Sequence, residues 1–501
     1  MQKNYEISSP ISYLGDLRLD RRFIKIFAQL SDDIGKSISQ CMLKWSQIKA
    51  TYRFLSNKKV THHHLMAMEE AHLHTNLVKE NVLSANGSKR VVLHLQDSTT
   101  LNFSNQKSAH QLPCLNYPNH LGYFVHTGLV TDRQGCIEGI LAQHIWGRTV
   151  SELGTSKYFQ TLHGGLPIEC KESDRWVSQF ELFQSVVGEL KQTHGISISD
   201  CESDIYELFI AKRVDNVDLI VRSQHNRLVI TSNDKAHKAH KEHKEQPLNN
   251  YLSTLDDQGH FWLDILKEDK HSYRPAELSI RFGEITIKIP ENIKWSSVIP
   301  RAARRLAQKM ADKKGLTLRV IQVTEINPME GCKAIDWTIL TTLPINDFWD
   351  ALQAVQYYAL RWRIEIFHLV FKEGCAIEKL QLEKPQRLEN AIALYSIVAT
   401  QLTTLRYLAQ TQGQKSMILT GYTPKQYHIL AQYLKINYDL VLPTPSETPT
   451  IEQFAKLIIC LGGGHRGNKN KDFGIRLLWR GLSTAKIILK AFDSFITFDS
   501  A

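Results

Sequence analysis

Arg361, Glu365, His368 and Lys372 follow one another in steps of four, three and four, so on a helix they share one face. Trp362, Ile366, Leu369 and Val370 are left to pack elsewhere around that helix. Alone, an acid flanked by cations is a surface ion-pair ladder worth only ~0.3–0.5 kcal/mol per pair. Two further carboxylates change the reading. Asp97 ends Val91-Val-Leu-His-Leu-Gln-Asp and Asp200 ends Ile196-Ser-Ile-Ser-Asp, both with the alternation of a strand. Taken singly, an Asp at a strand end is usually a turn or helix-cap residue. In combination, two strand-end carboxylates facing a crevice and a helical glutamate are the oxygen ligands that two-metal phosphoryl transfer requires.

Holding such groups in place calls for an α/β domain, and the periodicity supplies one. After the Val91 strand come strand patterns at Tyr123–Thr131 and Cys136–Gln143, a helix over Ser173 to Thr193, and the strand ending at Asp200. From about 213 to 350 short β-rich pieces (Leu219–Arg222, Leu278–Phe282, Glu284–Ile289, Leu316–Val323, Trp337–Thr342) alternate with long polar and basic connections, which predicts a β-rich insertion. Long helices return from Ile345 to about Leu408, and a loop at Pro443–Pro449 precedes further helices. Residues 1 to about 70 read as helical and basic. Leu19, Phe23, Ile26 and Phe27 make one apolar face, with Arg18, Arg21, Arg22 and Lys25 around it, and Ile48–Leu55 repeats the mixture. On its own that segment is equally a solvated basic cap or a DNA-binding region.

The 501 residues carry 61 Lys and Arg against 51 Asp and Glu, a formal charge of +10 that favours a polyanionic partner, nucleic acid foremost. With 43% hydrophobic and 22% charged residues the composition is that of a soluble globular protein. Met1–Ile7 lacks the apolar region of a secretory signal, and the most apolar stretch, Asn390–Leu408, is interrupted by Gln401, Thr403, Thr404 and Arg406, so no membrane association is expected. Eight scattered cysteines without a Cys-x-x-Cys pair predict a reduced, cytoplasmic setting. Three other signals are discounted. His62–His64 lacks zinc-site spacing, and so do His237, His240 and His243 among Lys235, Lys238, Lys241 and Lys244. Gly462–Lys469 lacks the Gly-Lys-Ser/Thr order of a phosphate loop and reads as a turn. His368, on the same face as Glu365, could assist proton transfer, but a structural role is the preferred reading.

Tyr358, Arg361, Glu365 and Lys372 also fit Tyr-x2-Arg-x3-Glu-x6-Lys, and on this signature the chain resembles the bacterial DDE-type cut-and-paste insertion-sequence transposases of the Tn-five kind. Shorter likenesses are Gly15-Asp-Leu-Arg, Tyr52-Arg-Phe, Gln96-Asp-Ser-Thr-Thr, Asp200-Cys-Glu-Ser-Asp-Ile, Val221-Arg-Ser and Glu325-Ile-Asn-Pro, and together they span residues 12 to about 490. The resemblance implies a ribonuclease-H-like catalytic domain over 71–395, interrupted by the β-rich insertion 213–350. A helical DNA-end-binding domain (1–70) would precede it and a helical dimerisation domain (396–501) follow it. It implies that Asp97, Asp200 and Glu365 are catalytic and bind two Mg²⁺ (or Mn²⁺) ions. Tyr358, Arg361, Lys372 and Arg222 would hold phosphates, and Arg22 and Arg53 would grip the end sequence. Trp337 stands where such enzymes stack a flipped base as they pass through a DNA hairpin; read as a sequence feature it is equally a core Trp on a strand. The partners implied are double-stranded DNA, both transposon ends and target, and a second copy of the chain, at the nucleoid. The sequence departs from the pattern at Cys201, where relatives often carry Arg, and the basic stretch Arg301–Lys314 has no match. Two other functions compatible with the fold are a silent DNA-binding protein, which has no need of an intact triad, and a nuclease without joining activity.

Overall fold

The computed structural model describes residues 13–42, 44–83, 89–153, 168–232, 243–266, 273–287, 315–442, 448–464 and 474–499. His237 and His240, the Arg301–Lys314 stretch and most of the Pro443–Pro449 loop lie outside them. The chain divides into two compact units, one of residues 1–76, 98–150 and 364–501, the other of 77–97 and 151–363.

The first unit contains α1 (Leu17–Asp32), α2 (Ile38–Cys41), α3 (Trp45–Leu55) and most of α4 (His62–Leu83). Asp16 caps α1 by accepting from Arg18 N, and Phe23, Ile26, Phe27 and Leu30 face inward, close to the expected stripe. His62 hydrogen-bonds Gln143 at 3.0 Å. The end of β1 (Arg90–Asn102) enters this unit, followed by the antiparallel hairpin β2 (Gly122–Asp132) and β3 (Ile137–Trp146). At its centre lies α10 (Pro385–Thr411), buried from Leu388 to Ala409 with few interruptions and packed on β3, α1 and α3. Asn390 donates to the carbonyls of Leu55 (3.0 Å) and Val60 (2.8 Å), satisfying the end of α3. The unit closes with α11 (Pro424–Tyr438), α12 (Ile451–Ile459) and α13 (Ile475–Asp499). Gly462, read as part of a turn, has a sharper purpose, shared with Gly481. A Cβ on Gly462 would lie 2.1 Å from the Leu477 carbonyl oxygen, and one on Gly481 1.7 Å from that of Ile458. Bare backbone lets α12 and α13 touch.

In the second unit, Asp174–Val187 forms α5 and Thr193–Ser199 forms β4. The helix expected to reach Thr193 therefore stops earlier, at Gly188. Asn216 takes its place by donating to the carbonyls of Val187, Leu190 and Thr193. After the short α6 (Tyr206–Ile210) come β5 (Val217–Arg222), β6 (Leu228–Ser232), β7 (His243–Pro247), α7 (Leu248–Ser253), β8 (Gly259–Leu266), β9 (Tyr273–Ile287), β10 (Leu316–Ile326), β11 (Asp336–Thr341) and α8 (Phe348–Ala359). The two strands expected at 278–282 and 284–289 are one, β9, running through Gly283. A Cβ there would meet the Tyr251 hydroxyl at 2.3 Å. The strand order is β1-β4-β5-β11-β10-β9-β6-β7, with β8 also on β9. β1, β4 and β5 are parallel; every other pair in this unit is antiparallel. β5, at the start of the stretch read as an insertion, thus extends the parallel core. α9 (Trp362–Leu369) runs out of this unit into the first.

Candidate active site

Parallel pairing sets two carboxylates side by side. Leu95 on β1 lies opposite Ile198 on β4, and Asp97 and Asp200 each stand two residues beyond that pair. Neighbouring strands are ~4.8 Å apart, and the two side chains leave the sheet together. The preceding residues Val92–Gln96 and Ile196–Ser199 are buried; Asp200 directly follows β4, as expected, but Asp97 does not end its strand, since β1 runs on to Asn102 once it leaves the core there. Asp200 is fixed further by accepting from Glu202 N at 3.0 Å, which caps the turn Cys201–Ser203.

Cations converge on this pair within the second unit. Arg361 Nη1 lies 3.7 Å from Asp97 Oδ2, both side chains being nearly buried. Tyr358 is buried at 3% exposure. Burial pushes its hydroxyl above the usual tyrosine range and Asp200 adds to the rise, while Arg361 and Arg222 oppose it. Arg222, at the end of β5, lies opposite Ile339 of β11. Trp337, also on β11, is 4% exposed, with the rings of Tyr358 and Trp362 edge-on at 5.1 and 5.8 Å. A base stacking on Trp337 requires those neighbours to part. Glu202 is held by Arg175 of α5 at 2.8 Å, a cation that the sequence pattern gave no reason to single out.

The single helical face expected for Arg361, Glu365, His368 and Lys372 is not continuous. Leu360 and Arg361 form a turn between α8 and α9, and Lys372 lies in a π-turn, Val370–Gly374, beyond α9. The wider π-turn changes the angular step, so spacing by 3.6 no longer describes Lys372. Glu365 is half-buried on α9, and His368 is buried beside Phe367. Asp97, Asp200, Arg222, Trp337, Tyr358 and Arg361 belong to the second unit; Glu365, Lys372, Arg22 and Arg53 belong to the first. Arg22 on α1 and Arg53 on α3 are exposed.

Among the described residues no three His, Cys, Asp or Glu side chains form a group able to hold a metal ion. The neighbouring Asp97 and Asp200 nevertheless fit part of such a set, two hard oxygen donors of the kind Mg²⁺ and Mn²⁺ take. Among the described residues no helix is long and apolar enough to cross a membrane.

A mixed sheet with acidic residues on adjacent parallel strands and an arginine beside one of them fits an enzyme of phosphoryl transfer on a polyanion. Residues 10–60 match the family described as transposase DNA-binding, and residues 163–400 match the transposase DDE domain. The chain is a DDE-family transposase, an enzyme that cuts DNA and transfers strands, with a ribonuclease-H-like catalytic fold. A silent DNA-binding protein is thereby set aside. DDE domains use divalent metal ions, in keeping with the oxygen donors at Asp97 and Asp200.

Proposed function

We propose that this transposase works by cut-and-paste, binding the terminal inverted repeats of an insertion sequence, excising it through a DNA hairpin and joining its 3′ ends to target DNA. The observation that carries this reading is the paired exit of Asp97 and Asp200 from neighbouring parallel strands, with Arg361 beside Asp97. Asp97, Asp200 and Glu365 are the catalytic set and hold two Mg²⁺ or Mn²⁺ ions. When bound, such ions activate the attacking oxygen and offset charge on the leaving one. Tyr358, Arg361, Lys372 and Arg222 hold the phosphates next to the scissile bond, which the Tyr-Arg-Glu-Lys signature supports. Trp337 receives the flipped base once Tyr358 and Trp362 give way. Arg22 and Arg53, exposed on basic helices, grip the end sequence, within a DNA-end-binding domain of residues 1–70. Helices within 396–501 pair two copies of the chain on two ends, at the nucleoid in the cytoplasm.

The test is cleavage of a duplex carrying the element's own terminal sequence, with Mg²⁺, by wild type and Asp97→Ala. Release of hairpin ends by wild type alone supports the reading. Cleavage without hairpins or joining products points to a nuclease, and undiminished cleavage by Asp97→Ala removes Asp97 from the site.

A further inference from the structure

One buried carboxylate ties together the two segments that carry Asp200 and Arg222. Asp204 lies four residues beyond Asp200, past the short turn that Asp200 caps. Its side chain is fully buried, and that of Arg227 is 3% exposed. Asp204 Oδ2 accepts from Gln224 N at 2.8 Å, His225 N at 3.1 Å and the Ser223 hydroxyl at 3.2 Å. Arg227 Nη2 donates to Asp204 Oδ1 and, at 2.7 Å, to the Asp204 carbonyl. The guanidinium in turn lies over the rings of Tyr206 (4.5 Å) and Phe209 (5.7 Å). Ser223 N donates to the Thr338 carbonyl at 2.7 Å, so the turn is also fastened to β11.

Desolvating two charges is costly, and apolar residues of similar volume often stabilise a core as well or better. What the ionic pair adds is direction. A carboxylate filled by three donors from residues 223–225 fixes the turn directly after Arg222, and its own backbone fixes the turn directly after Asp200. We propose that Asp204 and Arg227 are positioning residues for strand cleavage, holding the Arg222 guanidinium at a set distance from Asp200. This rests on the reading of Arg222 as a phosphate-holding residue.

The experiment compares wild type, Arg222→Ala, Arg227→Lys and the double variant as full-length proteins. Each is tested on the duplex with the element's terminal sequence, with single-turnover cleavage in Mg²⁺ and end-DNA affinity measured separately. Lysine keeps the charge and loses the planar fork. Arg227→Lys is expected to leave end affinity near wild type and to slow cleavage by roughly 10- to 100-fold, the cost of a small misplacement. In the Arg222→Ala background it is expected to add no further slowing, because it acts through Arg222. Full slowing in both backgrounds, or no slowing in either, overturns the positioning role while leaving Arg222 in place. Unaltered cleavage by Arg222→Ala removes the reading of Arg222 and the proposal with it. If Arg227→Lys loses the native circular dichroism spectrum, the isosteric Asp204→Asn takes its place in the cycle. Loss of fold in both assigns the pair to stability and overturns the proposal.

Discussion

Along β4 and β5, and along β1 from Val92 to Gln96, both faces are largely buried, whereas β10 alternates buried with half-exposed or exposed positions. Where that cover stops stand Asp97, midway along β1, Asp200, just past β4, and Arg222, at the end of β5. The antiparallel strands spread their polar groups along their length, as in the exposed Arg319–Glu284 pair between β10 and β9. A rigid, fully covered layer can aim a few side chains within the tolerance that phosphoryl transfer demands; a half-wet layer tolerates change.

The largest effect expected from this contrast is chemical. Asp200→Ala and Glu365→Ala should each lower single-turnover cleavage by at least ~10³-fold while leaving end binding and the thermal transition near wild type. Loss of end binding in step with cleavage would mean that these carboxylates support the fold instead. Next is acid sensitivity. His94 lies within the parallel layer, stacked on Phe183 at 4.7 Å and 3.2 Å from Ser197 Oγ, and burial pushes its pKa down to about 3. Its neutral form is the folded form. The stability it contributes is complete above its unfolded pKa of 6.5 and is lost as pH falls from there towards 3, at up to about 1.4 kcal/mol per pH unit. Urea titrations from pH 7 to 4 should show this slope and its flattening in His94→Leu. An unchanged slope would place the sensitivity elsewhere, with His62, pushed down to about 4 by burial, the next group to replace.

A smaller effect belongs to the first unit. Gly481→Ala should destabilise by roughly 1–3 kcal/mol, since the added methyl collides with a carbonyl oxygen that cannot swing aside. A variant as stable as wild type would show that α12 and α13 can separate at no cost. Smallest of all is Arg319→Ala, which removes a partly exposed ion pair and should shift stability by under about 1 kcal/mol with no change in cleavage.

Much of this arrangement was legible in the sequence because it is periodic. Asp97 and Asp200 stood at the ends of apolar runs, the stripe through Phe23 and Phe27 was plain, and most strands fell within a few residues of their places. What periodicity could not carry was polar packing. β6, β7 and β8 have no clean alternation, and the segment after Gly188, held by Asn216 from beyond β4, reads as a continuation of helix α5. Asp204 stood in a quoted motif, yet its burial became evident only with Arg227 opposite it. The turn at Leu360–Arg361 and the π-turn at Val370–Gly374 break a spacing that reads as one smooth helix.

The parallel core also has a history on the ribosome. His94 and Ser197, which meet across β1 and β4, are 103 residues apart, and Leu219 and Thr341, joined across β5 and β11, are 122 apart. At ~5–20 residues per second a newly made β1 waits ~5–20 s before its parallel partner exists, with unpaired backbone and apolar surface open to wrong neighbours. The layer that aims the aspartates therefore waits unpaired for that interval, and the yield of active protein in the cell should depend on translation rate and on chaperones that cover β1 meanwhile.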